Sequence, residues 1–349
     1  MIKVKFENNE NLLRVIKTVE SVLDVNSNGN VLKFVKLANI NNKLQITAIN
    51  PVVKLNYITD VKEISGDSAL YDYKKLSALL NVIKGDVVIE DGNIKSKKCA
   101  YKIPCEDAND YPNDVLPEIT NFTKFNMQEL SKALESTLTA SDKLSSGIMC
   151  GVHIGENKLI GCDSKRVAIE SIKTDKNIEN ITLPKELIKE VLRLPFNNEV
   201  LITVFGEKII ICDENITICS SRLAEKYPKV EAVIPKDIKN TIKLKNSELS
   251  DALTMVNPII DDITKECFLE YKNNKMVIRV NNGLESAKTS INIESDAENE
   301  ISARFNIQYL VDMLKANGEE ITVTTYNDNI GYKFTSDGNS YHYIMPMIN

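Results

Sequence analysis

Six times along the chain a leucine leads a short apolar stripe. The sets are Leu12/Val15/Ile16, Leu76/Leu79/Leu80, Leu130/Ala133/Leu134, Leu249/Ala252/Leu253 and Leu310/Met313/Leu314, with Leu187/Val191/Leu192 as a looser copy shifted by one. Spacing of i, i+3, i+4 lines one face of a short helix. Asn126 and Asn246 stand where they can cap two of these helices, and Pro184 suits the first turn of another. Between the helices, apolar-polar alternation predicts strands at 31–35, 43–48, 201–204, 276–280 and 321–325. Asp91-Gly92, Gly206-Glu207 and Asn273-Asn274 are turn-forming pairs beside such runs. The repeating unit is one helix plus a few antiparallel strands, its stripe covering one face of a sheet.

A longer repeat contains this one. Tyr111-Pro112 precedes Val115-Leu116-Pro117, Tyr227-Pro228 precedes Val233-Ile234-Pro235, and the chain closes on Tyr343-Ile344-Met345-Pro346. The closing prolines lie 118 (235 − 117) and 111 (346 − 235) residues apart, an ordinary domain length. The predicted fold is α+β, with three tandem domains at 1–117, 118–237 and 238–349 and two units in each. An array of equivalent units can close into a ring. Its sheet then has free edges only at the chain's two ends, where another copy can pair.

At about 100° per residue, the helix positions facing away from the stripe are two before and two after each lead leucine. Two after stand Arg14, Ala78, Lys132, Lys189, Asp251 and Asp312; two before stand Glu10, Lys74, Gln128, Lys185, Ser247 and Gln308. The first two domains place mostly lysine and arginine there; the third does not. An ordinary solvated face and a basic track that meets phosphate without reading sequence both fit.

The composition of 43% hydrophobic and 26% charged residues is that of a folded chain, and the net charge is −6. An acidic total does not exclude nucleic acid, because local distribution sets the field. No apolar run is long enough to span a bilayer and the N-terminus has no signal-peptide pattern, so a cytosolic chain without a membrane partner is expected. Seven scattered cysteines without CxxC argue against zinc knuckles and disulfide frameworks. His153 and His342 both lie in strand patterns. Cys150 or Cys162 with His153 is the nearest approach to a nucleophilic pair, and Asp261-Asp262 to a metal site, but no further carboxylates follow at ligand spacing. Neither GxxxxGK[ST] nor GxGxxG occurs in a strand-to-helix setting. No catalytic residue, metal or cofactor is expected.

The motifs resemble a family. Tyr343-Ile344-Met345-Pro346-Met347-Ile348 resembles the closing motif of bacterial DNA polymerase III β sliding clamps. Ser221-Arg222-Leu223-Ala224-Glu225-Lys226-Tyr227-Pro228, followed by Val233-Ile234-Pro235, is similar to that family's second-domain ending. Gly147-Ile148-Met149-Cys150-Gly151-Val152, followed by Asp163-Ser164-Lys165-Arg166-Val167-Ala168, resembles its central strand pair, and Phe305-Asn306-Ile307-Gln308-Tyr309-Leu310 its last helix. The resemblance covers nearly the whole chain, in order.

The resemblance implies a non-catalytic processivity factor. Two chains form a homodimer head to tail as a six-domain ring whose helices line a hole for double-stranded DNA. Arg14, Lys74, Lys132, Lys185 and Lys189 would face that DNA. A replicative DNA polymerase, a clamp loader and other proteins with clamp-binding motifs would each insert a peptide into a pocket. Matched residue by residue, the pocket comprises Met149, Cys162, Asp163, Arg166, Val167, Pro228, Val233, Tyr343, Met345, Pro346 and Met347. Four departures stand out: Ser146 and Ala232 replace basic residues, Asp163-Ser164-Lys165-Arg166-Val167 replaces the family's Asp-Gly-His/Tyr-Arg-Leu, and 24–30 lacks the family's basic loop. The alternative is a clamp-like protein-binding scaffold or inhibitor that does not encircle DNA.

Overall fold

The computed structural model describes residues 2–23, 31–109, 111–112, 121–141, 147–176, 178–293, 300–316, 318–326, 330–336 and 339–348. The 24–30 loop, the 115–117 ending, Ser146 and Asn349 lie outside them.

All six stripes are helices: α1 (Asn9–Thr18), α2 (Tyr73–Val82), α3 (Met127–Ala140), α4 (Lys185–Arg193), α5 (Asn246–Val256) and α6 (Ile307–Ala316). The six lead leucines are all fully buried. In α4 the buried set is Leu187, Ile188 and Val191, with Leu192 half out. Its inward face is therefore turned one residue back from the predicted one. Each helix follows a strand within two residues: Ile2–Phe6, Ser68–Asp72, Thr123–Asn126, Ile181–Leu183, Ile238–Lys245 and Ile301–Asn306.

A joint between helices recurs three times. The N–H of the first residue of α1, α3 and α5 donates to a carbonyl just beyond α2, α4 and α6. The bonds run from Asn9 to Gly85 (2.9 Å), Met127 to Asn198 (2.8 Å) and Asn246 to Glu319 (2.7 Å). Asn246 is not a side-chain cap for α5, since Lys245 holds the cap position. Its Nδ2 donates instead to Leu314 O and Gly318 O, both at 2.8 Å, at the end of α6. Asn9 Nδ2 does the same at the end of α2, reaching Leu80 O at 2.6 Å and Ile83 O at 2.8 Å. A helix end leaves its last carbonyls without partners, and these amides supply them.

Four of the five predicted strands hold. The fifth begins later: Val31–Lys33 is a 3-10 turn and the strand is Phe34–Ile40. That turn brings Val31 and Phe34 into one cluster with Leu70, Ala108 and Tyr111. Two of the three turn pairs have the left-handed backbone at both residues, with φ of 47° and 82° at Asp91 and Gly92 and 51° and 58° at Asn273 and Asn274; in Gly206-Glu207 only Gly206 does, at 58°. At Gly92 a Cβ would stand 2.4 Å from Ile103 O, so only glycine fits.

The chain divides into two compact units, Met1–Met127 with Glu186–Arg222 and Gln128–Lys185 with Leu223–Asn349. The first holds two sheets. One is nine-stranded, in the order Cys105–Glu106, Ser68–Asp72, Phe34–Ile40, Lys43–Ile49, Val53–Thr59, Ile216–Ser221, Lys208–Cys212, Glu199–Phe205, Thr123–Asn126. The other is five-stranded: Glu63–Gly66, Ile2–Phe6, Val87–Glu90, Asn93–Lys95, Ala100–Lys102. The second unit has an eight-stranded sheet, Ile181–Leu183, Val152–Gly155, Lys158–Cys162, Arg166–Ser171, Tyr341–Ile344, Tyr332–Thr335, Glu320–Tyr326, Ile238–Lys245. It also has a four-stranded one, Ser286–Asn292, Lys275–Asn281, Glu266–Lys272, Ile301–Asn306. Every pairing is antiparallel.

In each large sheet, strands distant in sequence meet edge to edge. Val53–Thr59 pairs with Ile216–Ser221, Val53 opposite Ser220, and Arg166–Ser171 pairs with Tyr341–Ile344, Arg166 opposite Ile344. These joints carry each sheet across the middle third of the chain, which is why the units cut through that third.

Candidate functional site

The residues expected to form a pocket are built around a turn. Asp163 Oδ1 accepts from Lys165 N at 2.7 Å and Arg166 N at 2.9 Å, while Asp163 N donates to Arg166 O at 3.0 Å. Such Asx turns stop one strand and start the next. The same bonds recur at Asn50, Asp213 and Asn282, each opening the link between two paired strands. Asp163 is therefore occupied in holding the loop.

Arg166 points inward and is only 5% exposed. Its Nε donates to Asp163 Oδ2 at 3.3 Å and its Nη1 to Asp312 Oδ2 on α6 at 2.9 Å. Its Nη2 donates to Thr139 O on α3. The guanidinium carbon lies 4.1 Å from the centre of the Tyr309 ring. A buried guanidinium needs partners of this kind to offset its lost hydration. Asp312, expected on the open helix face, is itself buried because Arg166 draws it inward.

Beyond Arg166 the pairing with the C-terminal strand continues, with Val167 opposite Tyr343. Met345 N then donates to Lys165 O at 2.9 Å and Met347 N to Arg304 O at 2.7 Å. The tail is pinned at both points. One apolar cluster results: Cys162, Val167, Ile169, Tyr227, Val230, Tyr326 and Tyr343, with Ile148, Met149, Ile160, Ile234, Tyr341 and Met345 packed against it. Of the expected residues it gathers Met149, Cys162, Val167, Tyr343 and Met345. Pro228 and Val233 are exposed, Val233 at 66%, and Pro346 and Met347 are half-buried; none of these four belongs to the cluster.

Sequence reasoning missed Ile148, Tyr227, Tyr326 and Tyr341 as members. Tyr227 had a signal, because its Tyr-Pro pair marks the repeat. Tyr227 Oη donates to Cys162 Sγ at 3.3 Å, and its ring stacks on His153 at 4.9 Å. Burial pushes the Tyr227 phenol far above its ordinary value.

Of the expected DNA-facing residues, Arg14, Lys74, Lys132 and Lys189 are exposed and Lys185 is half-buried. They do not all belong to one unit. Arg14, Lys74 and Lys189 lie in the first unit, Lys132 and Lys185 in the second. In the first unit Arg193 of α4 donates to Thr18 O of α1 at 3.2 Å, and Ser21 donates to Glu190, so α4 is tied to the end of α1. Lys17, Lys75 and Arg193 add exposed positive charge to that unit's helices. On α5 the exposed charge is Asp251.

Both histidines are structural. His342 is buried, with Nε2 3.0 Å from Ser136 Oγ, and Ser136 Oγ donates to Glu170 Oε1 at 2.5 Å. Burial, then the neighbouring Arg166 charge, pulls the imidazole pKa down to about 4. Burial also raises Glu170 above the usual carboxylate range. The trio is no nucleophilic triad: the carboxylate sits on the serine side of the ring, and Ser136 is buried. His153 Nδ1 lies 3.2 Å from Thr182 Oγ1. Asp261 makes only an Asx turn, accepting from Ile263 N and Thr264 N. No group of three metal-ligating side chains occurs among the described residues. No described helix is long and apolar enough to cross a membrane.

Repeated strand-helix units, edge-joined sheets and a C-terminal apolar cluster define a clamp fold. Residues 231–348 match the family model for the DNA polymerase III beta subunit, C-terminal domain. The chain is 23% identical over 358 residues to the beta sliding clamp of Streptococcus pneumoniae serotype 4, covering 92% of each. It is 22% identical to that of Haemophilus influenzae, covering 97% of this chain and 98% of the other. Among solved structures it superposes on a putative DNA polymerase III beta subunit from Eubacterium rectale with a TM-score of 0.91 at 19% identity, over all of both chains. The DNA polymerase sliding clamp of Bacillus subtilis also gives 0.91, at 18% identity, over all of this chain and 99% of that one. Over nearly its whole length the chain is similar to β sliding clamps, and its fold is the one they share.

Proposed function

We propose that the chain is a DNA sliding clamp: two copies close head to tail into a six-domain ring that encircles duplex DNA and tethers a replicative polymerase. A clamp loader and other peptide-bearing partners share the pocket, and the chain itself performs no chemistry. In this reading the domains are 1–117, 118–237 and 238–349, and the ring works in the cytoplasm. Arg14, Lys74, Lys132, Lys185 and Lys189 meet phosphate through loose contacts, since a tight grip would stop sliding. Met149, Cys162, Val167, Tyr343 and Met345 floor the peptide pocket, Pro228, Val233, Pro346 and Met347 rim it, and Asp163 and Arg166 hold its shape.

The observation that carries this reading is the pattern of sheet edges. Two seams of one design lie within the chain, and Ser286–Asn292 and Ala100–Lys102 are left as edge strands. The Asx turns make Asn50, Asp163 and Asn282 equivalent, so Glu285 corresponds to Val53 and Arg166. Hairpin registers make Tyr101, opposite Ile94, correspond to Ser220, opposite Ile209. A third seam of the same design puts Glu285 of one copy opposite Tyr101 of the other, and Ala287 opposite Cys99. Changing Ala287→Cys should give a covalent dimer on mild oxidation, lost when Cys99→Ser is added. A dimer that forms regardless of Cys99, or no dimer at all, contradicts the seam.

The scaffold alternative draws on α5, whose exposed charge is Asp251. Retention of the linked dimer on circular duplex DNA, and its release when the circle is cut, separates the two readings.

A further inference from the structure

From the charge around the apolar cluster, we infer that the peptide accepted by this pocket is acidic beside its apolar anchor. The inference rests on the pocket reading above. Three lysines border the cluster. The Lys165 carbonyl accepts from Met345 N, Lys226 directly precedes Tyr227, and Lys229 directly precedes Val230. All three are exposed, and none of their ammonium groups has an ion-pair partner among the described residues. The carboxylates nearby are largely spent. Asp163 is bonded to two backbone N–H groups and to Arg166, and Glu231 is paired with Lys158 at 2.8 Å. Glu225 is the exposed exception. The rim is thus positive on a chain whose total charge is −6.

Two positions that the family resemblance expects to be basic are Ser146 and Ala232 here. Positive charge at this pocket is therefore carried by a different set of side chains. The apolar floor supplies affinity, while flexible exposed lysines supply selection by sign and respond to salt. Each exposed pair adds little, so three together are expected to discriminate by about tenfold.

The probes are two fluorescent peptides with one Leu-Leu-Leu-Phe core. One carries two aspartates on each side of the core, the other two lysines. The acidic peptide is expected to bind the full-length chain about tenfold tighter at low salt, with the gap closing as salt rises. Lys165→Glu/Lys226→Glu/Lys229→Glu should reverse the preference, and Met345→Asp should abolish binding of both. Equal binding of the two peptides, reversed by nothing, overturns the charged-rim inference and leaves the pocket standing. Binding of both that survives Met345→Asp, or binding of neither, overturns the pocket and the inference with it.

Discussion

Arg166 shows what residue type alone conceals. Its family match places it among pocket residues, yet its side chain points inward, spanning Asp163, Thr139 and Asp312. Nothing local in Asp163-Ser164-Lys165-Arg166 signals a partner 146 residues away. The same limit applies to Asn246, whose position suggests a cap but whose amide serves the end of another helix. Losing that amide leaves two helix-end carbonyls without their partner. Asn246→Ala and Asn9→Ala should each lower unfolding free energy by about 1–3 kcal/mol, read from urea midpoints. His342 links burial to pH. Its folded pKa of about 4 lies below the ordinary value near 6.5, so between those values the unfolded chain binds more protons. Stability should therefore fall as pH falls across that window. Glu170, raised by burial, works in the opposite sense toward the acid end. Arg166, Asp312, Ser136 and Glu170 are the polar groups around the ring. His342→Gln should flatten the loss, measured as urea stability against pH; an unchanged slope would remove His342 as its source.

At the scale of elements, the helices were legible because a stripe of fixed period has one simple reading. The lead leucines carried all six, though α2 and α4 each bury the residue after the lead leucine, Ser77 and Ile188, and leave Leu79 and Leu192 half-buried. The 31–35 run was misread because β-branched and aromatic residues suit a strand, while packing beside Tyr111 favoured a turn. The Asx turns were invisible as a set, because Asn50, Asp163, Asp213 and Asn282 share only a short polar side chain. The apolar cluster was legible only in part: repeat endings pointed to Tyr343 and Met345, but Tyr326 reaches it by folding from elsewhere. The helix faces lead to an asymmetric expectation. Exposed positive charge is concentrated on the helices of the first unit. Arg14→Glu with Lys189→Glu should shorten the lifetime on circular DNA by about tenfold and lower its salt dependence, whereas Lys132→Glu alone should cost about threefold. Equal losses, or none, would remove the basic-track argument.

For the whole molecule, two separate sheets each carry one internal seam, and Ser286–Asn292 and Ala100–Lys102 are edge strands that the proposed ring would pair. Edge strands left open are hazards unless something pairs with them, and a ring removes both at once. The proposed three-domain division draws its support from the helix joints, repeated at Asn9, Met127 and Asn246. The Tyr-Pro spacing suggested that proposal but gave no sign of the two-unit division, because joined sheets pull the middle third both ways. Ring closure is the central claim, and the native mass of the unmodified chain tests it most directly. Sedimentation equilibrium across a dilution series should find a species of twice 39.2 kDa that gives way to monomer only on dilution. A species of 39.2 kDa at every concentration would mean that the open edges do not pair, and the ring would not stand.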